Sequence, residues 1–277
     1  RYQEARDSGI DAVNATVGSL LEEDGSLAMN SAVVESVRNC PKAEFSAYAP
    51  LKGLPSFLDL SKSLALGDAR EPLENAGISI GSIATPGGSG ALYLTAANLL
   101  EYGHSVLLRD RHWAPYDGFL SGCGLSIETW PLLPNDDSQH PYLDLVSFEE
   151  KISSLKMKQD KVMIWLNDPS HNPTGLSLTA GGRIALLESL ITSALADPEI
   201  GHTLVIDAAY SLYADDAYGW ADSIVEAFDS GSPWPENLLL CFAVSFSKSH
   251  TIYGLRTGAL ISLHPEQEVI DRLHNVF

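Results

Sequence analysis

The sequence predicts an α/β protein with a mostly parallel central sheet and helices on both faces. Two observations predict it. Short apolar runs recur along the chain, each too short for a helix and too continuous for a half-exposed strand, so they read as buried parallel strands. Segments with apolar residues at helical spacing lie between them. A third observation bears on function. Polar residues cluster directly after the apolar runs, and ligands of such sheets bind beyond the carboxyl ends of the strands.

In chain order, Pro86-Gly87-Gly88-Ser89-Gly90 opens an apolar helical pattern from Ala91 to Leu100. Ser105–Leu108 is the first strand. Pro131–Asp144 is rich in turn formers and reads as a surface loop or a boundary. Ser147 and Glu150 form a capping box ahead of Ile152 and Leu155. Val162–Leu166 is a second strand. Ile184, Leu187, Ile191 and Ala194 mark a helix after the Gly181-Gly182 break. Thr203–Ile206, Leu238–Val244 and Ala259–Ser262 are further strands. Tyr213–Asp216 and Glu226–Glu236 read as loops or exposed helix ends whose carboxylates face solvent rather than a metal.

Composition narrows the class. With 277 residues, 45% hydrophobic and 19% charged, the chain can bury the core of one large or two ordinary domains. Seventeen Lys and Arg against 36 Asp and Glu leave a formal charge of −19, the wrong sign for nucleic acid or an anionic membrane surface. No apolar run approaches the roughly 18 residues of a transmembrane helix. Cys40, Cys123 and Cys241 are too sparse for a disulfide framework and too scattered for zinc, so no metal is expected and a reducing cytoplasm is. The opening RYQEARDSGI has no apolar core of a signal peptide. It also lacks an initiator Met, so the chain is expected to begin after the true start.

Four segments carry candidate chemistry. Pro86–Gly90 is either a phosphate cradle at a helix N-terminus or an ordinary Gly-rich turn; it matches neither the dinucleotide nor the P-loop pattern. Asn167–Gly175 (NDPSHNPTG) is a tight turn or a site at a strand's carboxyl end. Asp207 ends a strand with Tyr210 three residues later. It is either an N-cap or a buried carboxylate, which is costly without a cation or donors. In Val244–Gly258 (VSFSKSHTIYGLRTG), Lys248 follows a strand end, where burial and nearby cations make an amine nucleophilic. Arg256 adds a planar fork suited to phosphate. A single lysine is usually a surface residue, but together these pieces are the set that holds pyridoxal 5'-phosphate.

SHNPTG at 170–175, DAAY at 207–210 and SFSKSHTIYGLRTG at 245–258 resemble the three main motifs of the fold-type I, class I/II aminotransferases. The likeness is greatest to their aspartate and aromatic aminotransferase branch. The eight-residue spacing from Lys248 to Arg256 matches as well. VNATVG at 13–18 resembles that family's substrate-side entry segment, and YAPLKGLP at 48–55 its tyrosine loop.

The resemblance implies a role for each matching residue. Lys248 carries the cofactor covalently and then shuttles the proton of the reacting carbon. Asp207 pairs with the protonated ring nitrogen. Asn172 and Tyr210 bind the phenolic oxygen. Gly88, Ser89, Ser245 and Arg256 bind the phosphate, with Ser247 nearby. Trp113 stacks on the ring, Gly18 and Asn172 border the substrate, and His171 either supports the site or holds a turn. Tyr48 reaches the phosphate of a partner subunit, which implies a homodimer with shared sites.

The resemblance further implies transfer of an amino group between an L-amino acid and a 2-oxo acid. Other readings are a β-lyase or decarboxylase using the same cofactor, a cofactor-sensing module of a transcription regulator, or an inactive fragment. It implies that residues 1–26 belong to a small domain and 27–277 to the large cofactor-binding domain. The rest of the small domain, on the order of 100 residues including the arginine that clamps the substrate carboxylate, is expected beyond Phe277. Two departures stand out. Gly87 replaces a frequent serine, and Pro115-Tyr116 replaces Asn-His, which alters the support behind Asp207 and the substrate contacts.

Overall fold

A computed structural model describes residues 2–12, 18–134, 139–229 and 233–277. Its centre is one seven-stranded sheet in the order β1-β7-β6-β5-β4-β2-β3. The strands are β1 (Ser79–Pro86), β2 (Ser105–Arg109), β3 (Ser126–Trp130), β4 (Lys161–Asn167), β5 (Gly201–Asp207), β6 (Leu238–Ser245) and β7 (Thr257–His264).

Side chains alternate across the sheet with the period of two that a pleated strand imposes. Leu107, Ile164, Leu166, Leu204, Ile206, Leu240 and Phe242 face one core, under the helices Leu145–Lys156, Ala180–Ala196 and Gly219–Asp229. Val106, Leu108, Met163, Trp165, Val205, Cys241 and Ala243 face the other, under Gly87–Leu99 and Pro115–Gly122. Burial on both faces explains why these runs are continuous in apolar character rather than alternating.

The parallel expectation holds for β2 through β6 and fails for the strand at 259–262. That strand, β7, runs antiparallel to both β6 and β1. Residues 246–256 connect β6 to β7, and they are too few for the crossover that parallel neighbours require. Two strands have no counterpart among the apolar runs. In β1, Ser79, Gly81, Ser82 and Thr85 interrupt the apolar pattern; Gly81 leaves room for the helix Gln267–Val276, and a Cβ there would lie 2.5 Å from His274 Nε2. The other, β3, is a short edge strand whose Glu128 pairs with Lys151 and Lys158.

Local starts and stops also differ from the sequence reading. The cap of Leu145–Lys156 is Asp144, which accepts the Ser147 N–H at 3.0 Å, so Ser147 is inside the helix rather than ahead of it. Thr179 caps Ala180–Ala196 through the Gly182 N–H, so Gly181-Gly182 lies in the first turn rather than before the helix. Asp216 is exposed, as expected of a solvent-facing carboxylate, and it also pairs with the buried Arg183. Of the stretches 131–144 and 226–236, residues 135–138 and 230–232 lie outside the described residues. No helix among the described residues is long and apolar enough to cross a membrane.

The topology determines where chemistry can sit. All strands except β7 run in one direction, so Pro86, Arg109, Asn167, Asp207 and Ser245 end on a single edge. The antiparallel β7 starts at that same edge, pairing Gly258 with Ser245 and Thr257 with Pro86. The helices Tyr2–Asp7, Ser31–Asn39 and Lys42–Ser46 bury no residue. The segment before Ser31 is tied to this edge by hydrogen bonds. The Leu20 N–H reaches the Tyr253 hydroxyl at 3.0 Å, and the Asn30 N–H reaches Thr251 Oγ1 at 2.7 Å.

Candidate active site

At that edge the chain turns sharply after Pro86. Gly87 takes φ +76°, in the left-handed region, and a Cβ there would lie 2.8 Å from Arg256 Nη2. Gly258 meets Gly87 backbone to backbone; its Cβ would sit 2.4 Å from the Gly87 carbonyl carbon. The departure at Gly87 thus has a local cause, because a side chain has neither the space nor the backbone conformation. A Gly87→Ser variant is expected to lose about 1–2 kcal/mol of stability, read as a lower denaturation midpoint. Unchanged stability would contradict the packing described.

The turn releases the helix Gly87–Leu99, whose first N–H groups have no partner within the helix and give its start a positive potential. Arg256 faces this start from a left-handed backbone position (φ 52°). Its Nη1 donates to Ser247 Oγ at 3.3 Å and to the Tyr253 carbonyl at 3.1 Å. Ser245 Oγ accepts the Ser247 N–H at 3.4 Å and so caps the single turn Phe246–Ser249. Gly88, Ser89, Ser245, Ser247 and Arg256 share one cavity wall. Free helix N–H groups, hydroxyls and a guanidinium form a donor set that suits a phosphate.

The cavity floor is Asp207. It caps no helix. Its Oδ2 accepts the Tyr116 hydroxyl at 2.5 Å and its Oδ1 accepts the Ala209 N–H at 3.1 Å. Burial pushes its carboxyl above the usual carboxylate range; the Tyr116 bond, the Ala209 bond and the Lys248 charge all oppose that rise. Beside it, Asn167 staples two segments: its amide donates to the Asp207 carbonyl at 3.0 Å and accepts the Asn172 N–H at 2.6 Å. Asn172 also hydrogen-bonds the Tyr210 phenol, which burial and then the Asp207 charge hold above its ordinary value.

His171 lies outside the cavity. Its Nδ1 meets Thr174 Oγ1 at 2.8 Å, and burial pushes its pKa down to about 4. It is neutral and holds the NPTG turn. Asp168 anchors the same loop, accepting the Trp220 Nε1–H and the Leu178 N–H.

Lys248 follows the turn after β6. Its Nζ donates to the Gly18 carbonyl at 2.8 Å and lies 5.5 Å and 5.1 Å from the ring centroids of Tyr210 and Tyr253. Burial lowers its pKa first and the Arg256 charge second, while Asp207 opposes. Desolvation beside a fixed cation raises the share of free amine. Trp113 closes one side, edge-on to Tyr116.

Most of the expected site residues therefore share one cleft, with about 650 Å³ of free space including its mouth. Tyr48 does not; it is fully exposed and lies off the cavity. Gly18 reaches the site through Lys248, whereas residues 13–17 of the entry segment lie outside the described residues. Asn167 and Tyr253 line the cavity but were not expected to, whereas Tyr116 meets Asp207 where the departure at Pro115-Tyr116 was expected to alter its support. Asn167 had a visible signal, a polar residue ending a buried strand. Tyr253 had none, since an aromatic beside apolar residues reads as core.

The sequence profile of the aminotransferase class I and II family matches residues 11–276, and the chain belongs to that family. It is 27% identical over 281 residues to the aromatic-amino-acid aminotransferase of Escherichia coli K12, covering 99% of this chain and 64% of that one. A solved aminotransferase from Anaerococcus prevotii superposes with a TM-score of 0.87 at 27% identity, covering 99% of this chain and 64% of that one. An aromatic-amino-acid aminotransferase of Burkholderia pseudomallei, solved covalently bound to pyridoxal phosphate, shares the fold with a TM-score of 0.69 at 22% identity. It is covered to 66%, and this chain to 99%.

Proposed function

We propose that the protein is a pyridoxal-phosphate-dependent aminotransferase that moves an amino group from an L-amino acid to a 2-oxo acid. The observation that carries the proposal is the placement of an amine, a buried carboxylate and a phosphate-type donor set around one cleft at one sheet edge. When bound there, pyridoxal phosphate supplies an aldehyde that amines can join and a cationic ring that withdraws electrons from the substrate carbon.

The chain's own residues divide the work. The helix start with Ser89, Ser245, Ser247 and Arg256 grips the phosphate. Asp207 holds a proton on the ring nitrogen. Asn172 and Tyr210 contact the phenolic oxygen, and Trp113 walls the ring. Lys248 is the attachment point and then holds or returns the proton of the substrate carbon at Nζ. Residues 27–277 form the cofactor-binding domain in this reading, with 1–26 belonging to a smaller one. The setting is cytoplasmic.

Arg256→Ala is expected to weaken pyridoxal phosphate binding about 10- to 100-fold, the scale of a lost charge-assisted hydrogen-bond pair. A fluorescence titration checks it, and an unchanged Kd would remove Arg256 from the phosphate grip. We also infer a homodimer. Phe45, Tyr48, Leu51 and Leu54 are exposed apolar side chains within ten residues, more than an isolated surface usually shows in one place. Light scattering should give the mass of two chains, and a monomer active at full rate would refute it.

The test of the function is spectral. Cofactor-loaded protein should lose its visible absorbance on adding an amino acid and regain it on adding a 2-oxo acid. Loss of the band with release of carbon dioxide or of a β-substituent would instead favour a decarboxylase or a lyase.

A further inference from the structure

Arg109 is the last residue of β2 and is 2% exposed, yet its Nε, Nη1 and Nη2 have no hydrogen-bond partner among the described residues. A buried cation is costly unless an opposite charge offsets it. Two carboxylates do so here, Asp168 more than Asp110. Asp110 is exposed and accepts the Leu132 N–H, whereas Asp168 is 0% exposed. Resting on the function proposed above, we propose that Arg109 is a positioning residue: its charge keeps Asp168 an ionised acceptor, and Asp168 fastens the loop that presents Asn172 to the cofactor.

The loop 168–178 is a short ladder. Asp168 Oδ1 accepts the Leu178 N–H, Ser177 Oγ accepts the Ser170 N–H, and the Leu176 carbonyl accepts the His171 N–H, each at 2.8 Å. Asn172 stands at the far end of these rungs, where Asn167 holds its N–H at 2.6 Å and it lines the cleft. The first rung is fixed to three other elements. Asp168 Oδ2 accepts the Trp220 Nε1–H at 2.7 Å from the helix Gly219–Asp229. Arg183 Nη1, on the helix Ala180–Ala196, donates to the Leu178 carbonyl at 2.9 Å. Arg109, at the end of β2, faces Asp168 by charge.

The charge on Asp168 decides whether this rung holds. An ionised carboxylate accepts at both oxygens, whereas a protonated one accepts more weakly and places an O–H where two donors already point. Burial pushes the Asp168 carboxyl above the usual range. Arg109 opposes this most, followed by the Leu178 and Trp220 donors and then Arg183. Arg183 is already paired with Asp216, and His171, which also faces Arg109, is neutral. The counter-charge for Asp168 therefore comes chiefly from Arg109.

Hydrogen exchange of the cofactor-free protein and a pH titration of the loaded protein test this. Arg109→Met keeps most of the side chain's length and removes its charge. Exchange in the peptide covering 168–178 should become about tenfold faster, while β4 and β5 keep wild-type protection. In the loaded protein, a displaced Asn172 no longer donates to the phenolic oxygen. That donor favours the deprotonated form, in which the oxygen's charge stands uncompensated, so the midpoint of the visible band's titration should rise by about half to one pH unit. Arg109→Lys returns the charge and should return both readouts to wild type. A general loss of stability, with the loop no faster than the strands, is what a purely structural role gives and would overturn the proposal. Faster loop exchange with an unmoved midpoint would overturn it too, because Asn172 would then not depend on the pair. If Arg109→Met does not fold, Arg109→Lys alone decides: wild-type loop protection supports the proposal and a loosened loop overturns it. Wild type that fails to bind pyridoxal phosphate would overturn the function itself, and the exchange of the cofactor-free protein would still decide whether Arg109 fastens the loop.

Discussion

Lys248→Ala is expected to leave a protein that binds pyridoxal phosphate and does not turn over. The cofactor's phosphate contacts come from Gly88, Ser89, Ser245, Ser247 and Arg256 in the proposed site, none of which the substitution removes. What disappears is the amine whose pKa is lowered by burial and by Arg256, and with it both the proposed attachment point and the proposed proton carrier. A positioned acid–base group contributes roughly 10²- to 10⁴-fold. Loss of attachment adds to this, so transfer should fall by more than about 10⁴-fold. Stopped-flow absorbance of the half-reaction checks it. The loaded variant should also lack the visible band that wild type shows, because no lysine joins the aldehyde. Retention of a tenth of the wild-type rate would exclude Lys248 from the chemistry.

Asp207→Ala has the second largest effect and a different signature. Removing one partner of a buried charge pair costs about 3–5 kcal/mol, which as a barrier is on the order of 10²- to 10⁴-fold in rate. The loss should fall on removal of the proton from the substrate carbon, since the ring would no longer be held cationic. A deuterium isotope effect at that carbon should therefore grow in the variant. Cofactor affinity should fall less than in Arg256→Ala. The reverse pattern, with affinity lost and the bound fraction fully active, would mean that Asp207 serves only as a phosphate-side structural element.

The sheet was legible where burial on both faces made a run uniformly apolar, as in Val162–Leu166 and Leu238–Val244. It was illegible where that condition fails. In β1, Gly81 is set by the helix Gln267–Val276 packed against it, a long-range constraint with no local trace. The direction of β7 depends on the length of its connection, whereas its apolar pattern is the same in either direction. The site was legible where function imposes costly chemistry at a strand end: a carboxylate at Asp207, a lysine at 248 and glycines at 87 and 88. Tyr253 was hidden because a tyrosine between Ile252 and Leu255 carries no local sign of the cavity it lines. Tyr48 lies apart from its own chain's cavity, and its partner contact rests on the homodimer proposal.

The central claim is that the cleft attaches pyridoxal phosphate through Lys248. Borohydride reduction of the loaded protein, followed by peptide mapping, tests it most directly. The expected result is one pyridoxyl group on the peptide carrying Lys248. An adduct on Lys52, Lys62 or any other lysine, or no adduct after saturation with cofactor, would contradict it.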